Sequence, residues 1–313
     1  MTNIDNNYRE RSECPICGAD ATGSRREIAA SSPRAEELPP QQLGRFLSDY
    51  DASRIFFTYK ECSSCGGCFC PQYFSENQLA DLYADQPENM ELAPLEARTR
   101  TQASYFDTLS RNTQVNGRFL EIGADIGIFA EQCAQKGNFE SFILYEPNHS
   151  THDAIAERMR GHSVEIRSGR FSAADVQPGS ISIAAMIHVL DHILDPAQLL
   201  SEVRDSLQPG GALFLVTHNR ASLLARTLGR RWPPYTMQHP HLFTPETMRT
   251  LLLRSGFERV STHRTWNSFP ATYFLHAGLA TIGLERIPFP TFSRPLISLP
   301  LGNFATIAHR AKT

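Results

Sequence analysis

The sequence carries no excess of charge of either sign: 30 Lys+Arg face 33 Asp+Glu over 313 residues, a net charge of −3. That balance argues against a generally basic protein that coats nucleic acid. Long apolar runs are missing too, and no stretch of about 18 apolar residues suggests a membrane span. The opening residues MTNIDNNYRERSECPIC contain no apolar segment that could act as a secretory signal. Both absences give the expectation of a soluble, cytoplasmic protein. Lysine is scarce, three residues against 27 arginines, and no function follows from it. Cysteine is nearly absent beyond residue 70: six of the seven stand at 14, 17, 62, 65, 68 and 70, with Cys133 alone further on. An odd count in such a chain points to metal binding or free thiols rather than a disulfide framework. What is present, 41% hydrophobic and 10% aromatic residues, suffices for a buried core, and the length suits two domains or one with an appendage.

The early cysteines pair into two copies of one design, Cys14-Pro-Ile-Cys17-Gly18 and Cys62-Ser-Ser-Cys65-Gly66. Each aims two sulfurs at one point around a tight turn, and the glycine that follows tolerates positive φ. Together they supply the four thiolates of a closed, tetrahedral structural zinc site. A strand is expected over Arg54–Tyr59, leading into the second pair. The run Cys65-Gly-Gly-Cys68-Phe-Cys70 offers other ligand combinations, an iron–sulfur cluster among them. The symmetric set Cys14, Cys17, Cys62 and Cys65 is preferred, with Cys68 and Cys70 packed beside it and Cys133 a core thiol on a helix. Residues 1–72 are therefore expected to form a small zinc-ribbon-like module.

Residues 73–112 read as a helical linker or cap. Ser75–Tyr83 opens on an N-cap with apolar residues at helical spacing, and Leu95–Leu109 is a second amphipathic segment after Pro87 and Pro94. From 113 to 313 short apolar runs alternate with helical segments, the pattern of a parallel α/β sheet. Candidate strands are Arg118–Ile122, Ser141–Tyr145, Val164–Arg167, Ile181–Ile187 and Ala212–Thr217. The first runs into Glu121-Ile-Gly123-Ala124-Asp125-Ile-Gly127, with a helix to about Lys136. Gly123 lets the chain turn off the strand, and Gly127 lets a ligand approach the free N–H groups of the helix start. Glu146-Pro147 closes the second strand about 20 residues later, where a carboxylate can accept from both hydroxyls of a ribose. Strand, glycine loop, helix, strand and acid in this order suit an adenosine-containing cofactor, while two glycines four apart do not follow the dinucleotide spacing.

These segments resemble the class I S-adenosylmethionine-dependent methyltransferases over about 200 residues. Leu120–Gly127 is similar to their motif I, and Glu146 matches their ribose-binding acid. His188-Val-Leu-Asp-His192-Ile-Leu-Asp-Pro196 is similar to the segment after their fourth strand, and Ser206–Val216 to the turn into the fifth. His239–Met248, followed by Leu251–Phe257, resembles the helix and Gly-Phe ending of small-molecule members. The paired cysteines ahead of them resemble a subgroup with an N-terminal zinc-binding module, which includes sugar C-methyltransferases of natural-product pathways. The resemblance implies a Rossmann-like seven-stranded sheet ending in a reversed hairpin near Arg259–Arg264 and Asn303–His309. It implies methyl transfer to a small molecule in secondary metabolism, with S-adenosylmethionine as cofactor. The cofactor residues it implies are Glu121, Gly123, Ala124, Asp125, Gly127, Glu146, Pro147, Phe171, Ile187 and His188. Three positions depart from the family: Asp125 stands where motif I has a small residue, Arg167–Phe171 shows no acid near adenine, and Ser182 replaces an aspartate at the start of the fourth strand.

A hydroxyl or carbon acceptor needs a base, and histidine is the usual one near neutral pH. A base is expected among His239, His241 and His188, in that order, with His192 structural and Asp191 orienting a histidine or capping a turn. Charge is uneven along the chain: residues 220–313 hold twelve Lys+Arg and three Asp+Glu, a local +9 against −12 for residues 1–219. Arg226, Arg230 and Arg231 lie in this region and suggest an anionic acceptor, phosphorylated or linked to a carrier. Residues 270–300, apolar from Ala271 to Leu284, read as an insert that packs into the core, forms an interface or covers the acceptor. Two alternatives stand beside this reading. An RNA methyltransferase gripping RNA with its zinc head is weakened by eight Lys+Arg against ten Asp+Glu in residues 1–70. The other is a cofactor-binding scaffold without transfer activity.

Overall fold

The structure, a computed structural model, describes residues 8–30, 33–43, 55–79, 94–273 and 295–312. Five short strands make up the N-terminal part: β1 (Arg9–Glu10), β2 (Ser24–Ile28), β3 (Tyr59–Cys62), β4 (Cys68–Phe69) and β5 (Gln72–Tyr73). The second cysteine pair is the turn between β3 and β4, closed by the Gly66 N–H on the Cys62 carbonyl at 3.0 Å. The strand expected over Arg54–Tyr59 begins only at Tyr59. Ahead of it the backbone is spent on a loop: the Phe56 carbonyl accepts from the Ala35 N–H, and the Thr58 N–H donates to Glu36. Residues 80–83 of the expected helix over Ser75–Tyr83 lie outside the described residues.

The larger part begins with α1 (Leu95–Asn112), β6 (Asn116–Ile122), α2 (Ile128–Lys136), β7 (Asn138–Tyr145), α3 (His152–Arg158) and β8 (Val164–Arg167). It continues through β9 (Ile181–Ile187), α4 (Pro196–Ser206), β10 (Leu207–His218), α5 (Leu223–Leu228), β11 (His241–Leu242) and α6 (Pro245–Arg254). Four strands close it: β12 (Glu258–Arg264), β13 (Asn267–Pro270), β14 (Leu296–Leu299) and β15 (Asn303–His309). Seven strands form one sheet in the order β12-β15-β10-β9-β6-β7-β8, with β15 antiparallel to both its neighbours and the paired strands from β10 to β8 parallel. The Rossmann-like sheet and its reversed hairpin are therefore as the sequence implies. β9 (Ile-Ser-Ile-Ala-Ala-Met-Ile) is apolar almost throughout because both faces of the sheet are covered. Phe119, Leu144, Ile183 and Phe214 face α1 and α2, while Leu120, Ile143, Met186 and Leu215 face α4 and α6. Thr244 and Pro245 start α6 as a capped turn with proline at its first position.

The head is sewn into this domain. β4 pairs with β11, so the small sheet runs β11-β4-β3-β2 and takes its edge from residues 241–242. Cys14, Ile16, Cys62 and Phe69 lie in the same apolar cluster as α4 and α6. Arg9 forms an ion pair with Asp195 at 2.9 Å, and Arg220 with Glu61 at 2.6 Å. Residues 274–294 of the apolar insert lie outside the described residues. Its flanks, β13 and β14, pair with each other and rest on α1 through Ser268 N–H to Thr101 Oγ1 and Asn267 Nδ2 to Tyr105 Oη, both 2.8 Å. Among the described residues no helix is long and apolar enough to cross a membrane.

Candidate active site

The order in which successive strands are laid down reverses between β6 and β9, and the crevice above their C-terminal ends is where open α/β sheets take ligands. On one side of it lies the loop from Gly123 to Gly127. Gly123 has φ 75°, and a Cβ there would stand 2.4 Å from Val189 Cγ2, so glycine is required by both conformation and space. Asp125 also has positive φ, at 50°, a region that aspartate tolerates better than most residues with a side chain. The Arg98 guanidinium of α1 holds its carboxylate. Glu146, at the end of β7, anchors the loop: one oxygen accepts from the Asp125 N–H at 2.7 Å and the other from the Asn148 N–H at 2.9 Å. Burial raises the Glu146 carboxyl above its ordinary value despite these two donors. Phe171 packs edge-on against Tyr145 at 5.3 Å, and Pro147, two residues beyond Tyr145, is exposed. Beneath the loop Glu121 is buried with one oxygen lacking a partner, and burial pushes its carboxyl well up, with Asp125 and Glu146 adding to the effect.

On the other side β9 and β10 end in histidines. His188 follows Ile187 with φ 54°, a strained conformation for a residue with a side chain. His218 ends β10, and their rings lie 4.6 Å apart. Asn303, opposite His218 across the β10–β15 ladder, bridges them: its Oδ1 is 3.0 Å from His218 Nδ1 and its Nδ2 3.2 Å from His188 Nε2. Asp191 lies beneath them with no exposed surface, and neither of its oxygens has a hydrogen-bond partner among the described residues. Burial alone would raise its carboxyl, but His239, His218, His192 and His188 around it outweigh burial and hold it well below the ordinary value. Burial lowers His188 and His218 toward the neutral form and brings His192 and His241 down to about 3.

The sequence-derived candidates fall as follows. His239 is buried behind His218, with ring centroids 5.3 Å apart, and its Nδ1 donates to the Pro234 carbonyl at 2.7 Å. His241 is fully buried on β11 and reaches the Leu190 carbonyl at 3.0 Å. Arg226 on α5 and Arg230 and Arg231 just after it are exposed. Sequence reasoning missed His218 and Asn303. The available signal for His218 was its place at the end of the strand beside the one that delivers His188.

The four paired cysteines converge: Cys14 and Cys65 sulfurs are 3.8 Å apart, Cys17 and Cys62 sulfurs 3.7 Å, and all four lie within 4.8 Å of one another. A tetrahedron with metal–sulfur bonds of about 2.3 Å has edges of about 3.8 Å. Cys68 and Cys70 stand apart from that group and are buried, Cys70 pointing at the Phe57 carbonyl.

A family model for the methyltransferase domain matches residues 95–262. The chain is 27% identical over 189 residues to the ubiquinone biosynthesis O-methyltransferase of Xanthomonas euvesicatoria pv. vesicatoria, a match covering 56% of this chain and 74% of that protein. A Saccharophagus degradans protein of the same name is 25% identical over 202 residues, covering 60% of this chain and 82% of that one. Among solved structures, a chain of the Haloferax volcanii complex between the Trm112 methyltransferase activator and a methyltransferase gives a TM-score of 0.51 at 11% identity, covering 69% of this chain and 92% of that one. That last likeness concerns the fold alone.

Proposed function

The chain belongs to the methyltransferase-domain family, and from that premise we propose that it transfers a methyl group from S-adenosylmethionine to a small molecule seated among the histidines at the ends of β9 and β10. The observation that carries this reading is the adjacency of two unlike sites on one sheet edge. The Glu146-anchored loop meets the histidine cluster where Gly123 abuts Val189. S-adenosylmethionine, when bound, supplies a methyl group on a positively charged sulfur. Each Glu146 oxygen accepts one backbone N–H and keeps a lone pair, which suits the two hydroxyls of a ribose. Gly123, Ala124, Asp125, Gly127, Pro147, Phe171, Ile187 and His188 are the further residues that would hold the cofactor. Glu121 supports the loop from below.

The acceptor side is built for orientation and proton removal, with a histidine of the cluster as the base. A small acceptor is supported by the relatives named for ubiquinone biosynthesis, and an anionic one by exposed Arg226, Arg230 and Arg231 near the same edge. Arg220 is committed to Glu61 and stays outside that set. Cys14, Cys17, Cys62 and Cys65 suit a structural zinc ion by their spacing. Calorimetry with S-adenosylhomocysteine tests the reading: the chain should bind it, and Glu146→Ala should weaken binding by roughly ten- to a hundredfold, the loss of about 1.5–3 kcal/mol of charge-assisted hydrogen bonding. Unchanged affinity in the variant would remove the ribose assignment.

A further inference from the structure

A buried carboxylate needs partners, and Asp191 has none of the ordinary kind. It has no exposed surface, and neither of its oxygens finds a hydrogen-bond donor among the described residues. A basic group does stand near: His218 Nε2 lies 3.9 Å from Asp191 Oδ2. That separation exceeds a hydrogen bond, which needs about 2.7–3.2 Å between heavy atoms. It is closer to the spacing of two donors to one tetrahedral ion, about 3.3–3.6 Å for bonds of about 2.0–2.2 Å. His188 makes the group three: one ring nitrogen of each histidine and one oxygen of Asp191 all lie within 4.8 Å of one another. The three residues sit at the end of β9, in the turn that follows it, and at the end of β10, so adjacent parallel strands bring them together. They share no residue with the four cysteines of the head.

We propose that His188, Asp191 and His218 bind one divalent transition-metal ion at the C-terminal edge of the sheet, separate from the cysteine site. The inference goes beyond the methyltransferase reading and does not depend on it. Two imidazoles and one carboxylate are the donor set of borderline cations such as zinc, iron(II), cobalt(II) and nickel(II), whereas magnesium and calcium take oxygen ligands. Asn303 prepares one of the ligands. With its Oδ1 accepting from His218 Nδ1–H at 3.0 Å, the lone pair of that ring is on Nε2, the nitrogen that faces Asp191. The amide's other contact, Nδ2 to His188 Nε2, is longer at 3.2 Å and yields when the ion arrives, because the ion needs a lone pair from each ring. Three protein ligands leave coordination positions for water or for a lone pair of the acceptor. The Asp191 side chain is 1% exposed and that of His218 24%, so access is from the His218 side. An imidazole held by a metal takes no proton. The role of base then falls to a histidine outside the triad, such as His239, whose ring lies 5.3 Å from that of His218.

Cobalt(II) tests the proposal on the full chain, because its visible spectrum reports its donors. The chain is dialysed against a chelator, which strips an open three-ligand site while a closed cysteine site keeps its zinc, and cobalt is then titrated in. The expected result is about one further cobalt per chain, with d–d bands but without the sulfur-to-metal charge-transfer band that cobalt among cysteines gives. Asp191→Asn and His218→Gln should each abolish this binding, read in protein whose urea unfolding matches the parent's. Asn303→Ala touches no ligand and should weaken it roughly ten- to a hundredfold, and it carries the test if the other two variants lose the fold. Zinc should displace the cobalt, and magnesium at the same concentration should not. No further cobalt, a sulfur charge-transfer band with every added equivalent, unchanged binding in all three variants, or displacement by magnesium would each overturn the proposal. No S-adenosylhomocysteine is used, so the outcome is independent of the cofactor assignment.

Discussion

Glu121 illustrates how one buried side chain reports on its surroundings. It lies under the loop with one unpartnered oxygen, and burial raises its carboxyl well above the ordinary 4.5. Between that ordinary value and the raised one, the folded protein holds a proton that the unfolded chain has released. Stability therefore rises as pH falls through the folded pKa, by up to about 1.4 kcal/mol per pH unit, and the gain is complete near the unfolded value. Glu121→Gln keeps the shape and removes this dependence. Urea unfolding between about pH 8 and pH 5 should show the parent gaining on the variant as pH falls. A constant difference would mean that the carboxyl titrates as it does in water. Residues of this kind were legible where a local pattern carries them: Glu121, Gly123, Gly127 and Glu146 stand at spacings set by a strand, a turn and the next strand. His218 and Asn303 were not legible in that way. Their partnership spans 85 positions and exists only because β15 inserts beside β10.

Among the elements, β11 joins the head to the histidine cluster. Its two residues pair with β4, and the segment leading to it is held by head side chains: Tyr59 donates to the His239 carbonyl at 2.6 Å, Tyr73 to the Met237 carbonyl, and the Cys70 N–H to the Pro240 carbonyl at 2.8 Å. β4 is itself the strand leaving the second cysteine pair, so a metal bound there would stiffen the backbone that carries His239 and His241. Metal analysis should find about one zinc per chain, lost in Cys14→Ser with Cys17→Ser. Hydrogen exchange should then accelerate at Cys70 and across β4–β11, while the Gly123 and Ala124 amides, bonded to the Tyr145 carbonyl, remain protected. Equal acceleration in both places would mean global unfolding and no specific coupling. The long parallel strands were legible because burial on both faces makes them continuous apolar runs. β4, β5 and β11, two residues each, carry no periodicity, and only distant pairing defines them.

Over the whole molecule, the near-neutral net charge hides a division between a −12 N-terminal stretch and a +9 C-terminal one. Arg220–Glu61 pairs a cation of the positive stretch with an acid of the head, whereas Arg9–Asp195 joins head and large domain within the first 219 residues. Arg226, Arg230 and Arg231 remain exposed on and after α5, the element that follows His218. Their value to an anionic acceptor is modest because exposed charges are screened, about 0.2–1 kcal/mol for each. Replacing Arg230 and Arg231 together with alanine should therefore raise the KM of an anionic acceptor by roughly two- to thirtyfold at low salt, leaving kcat nearly unchanged. The difference from the parent should shrink as ionic strength passes about 0.15 M, where the screening length falls to about 8 Å. In the proposed reading these arginines would steer and hold the acceptor's charge, while the reacting atom would sit at the histidine cluster. A loss confined to kcat, or one insensitive to salt, would place them in the chemistry and contradict this division of labour. An unchanged KM at every salt concentration would make the positive C-terminal stretch an ordinary solvated surface.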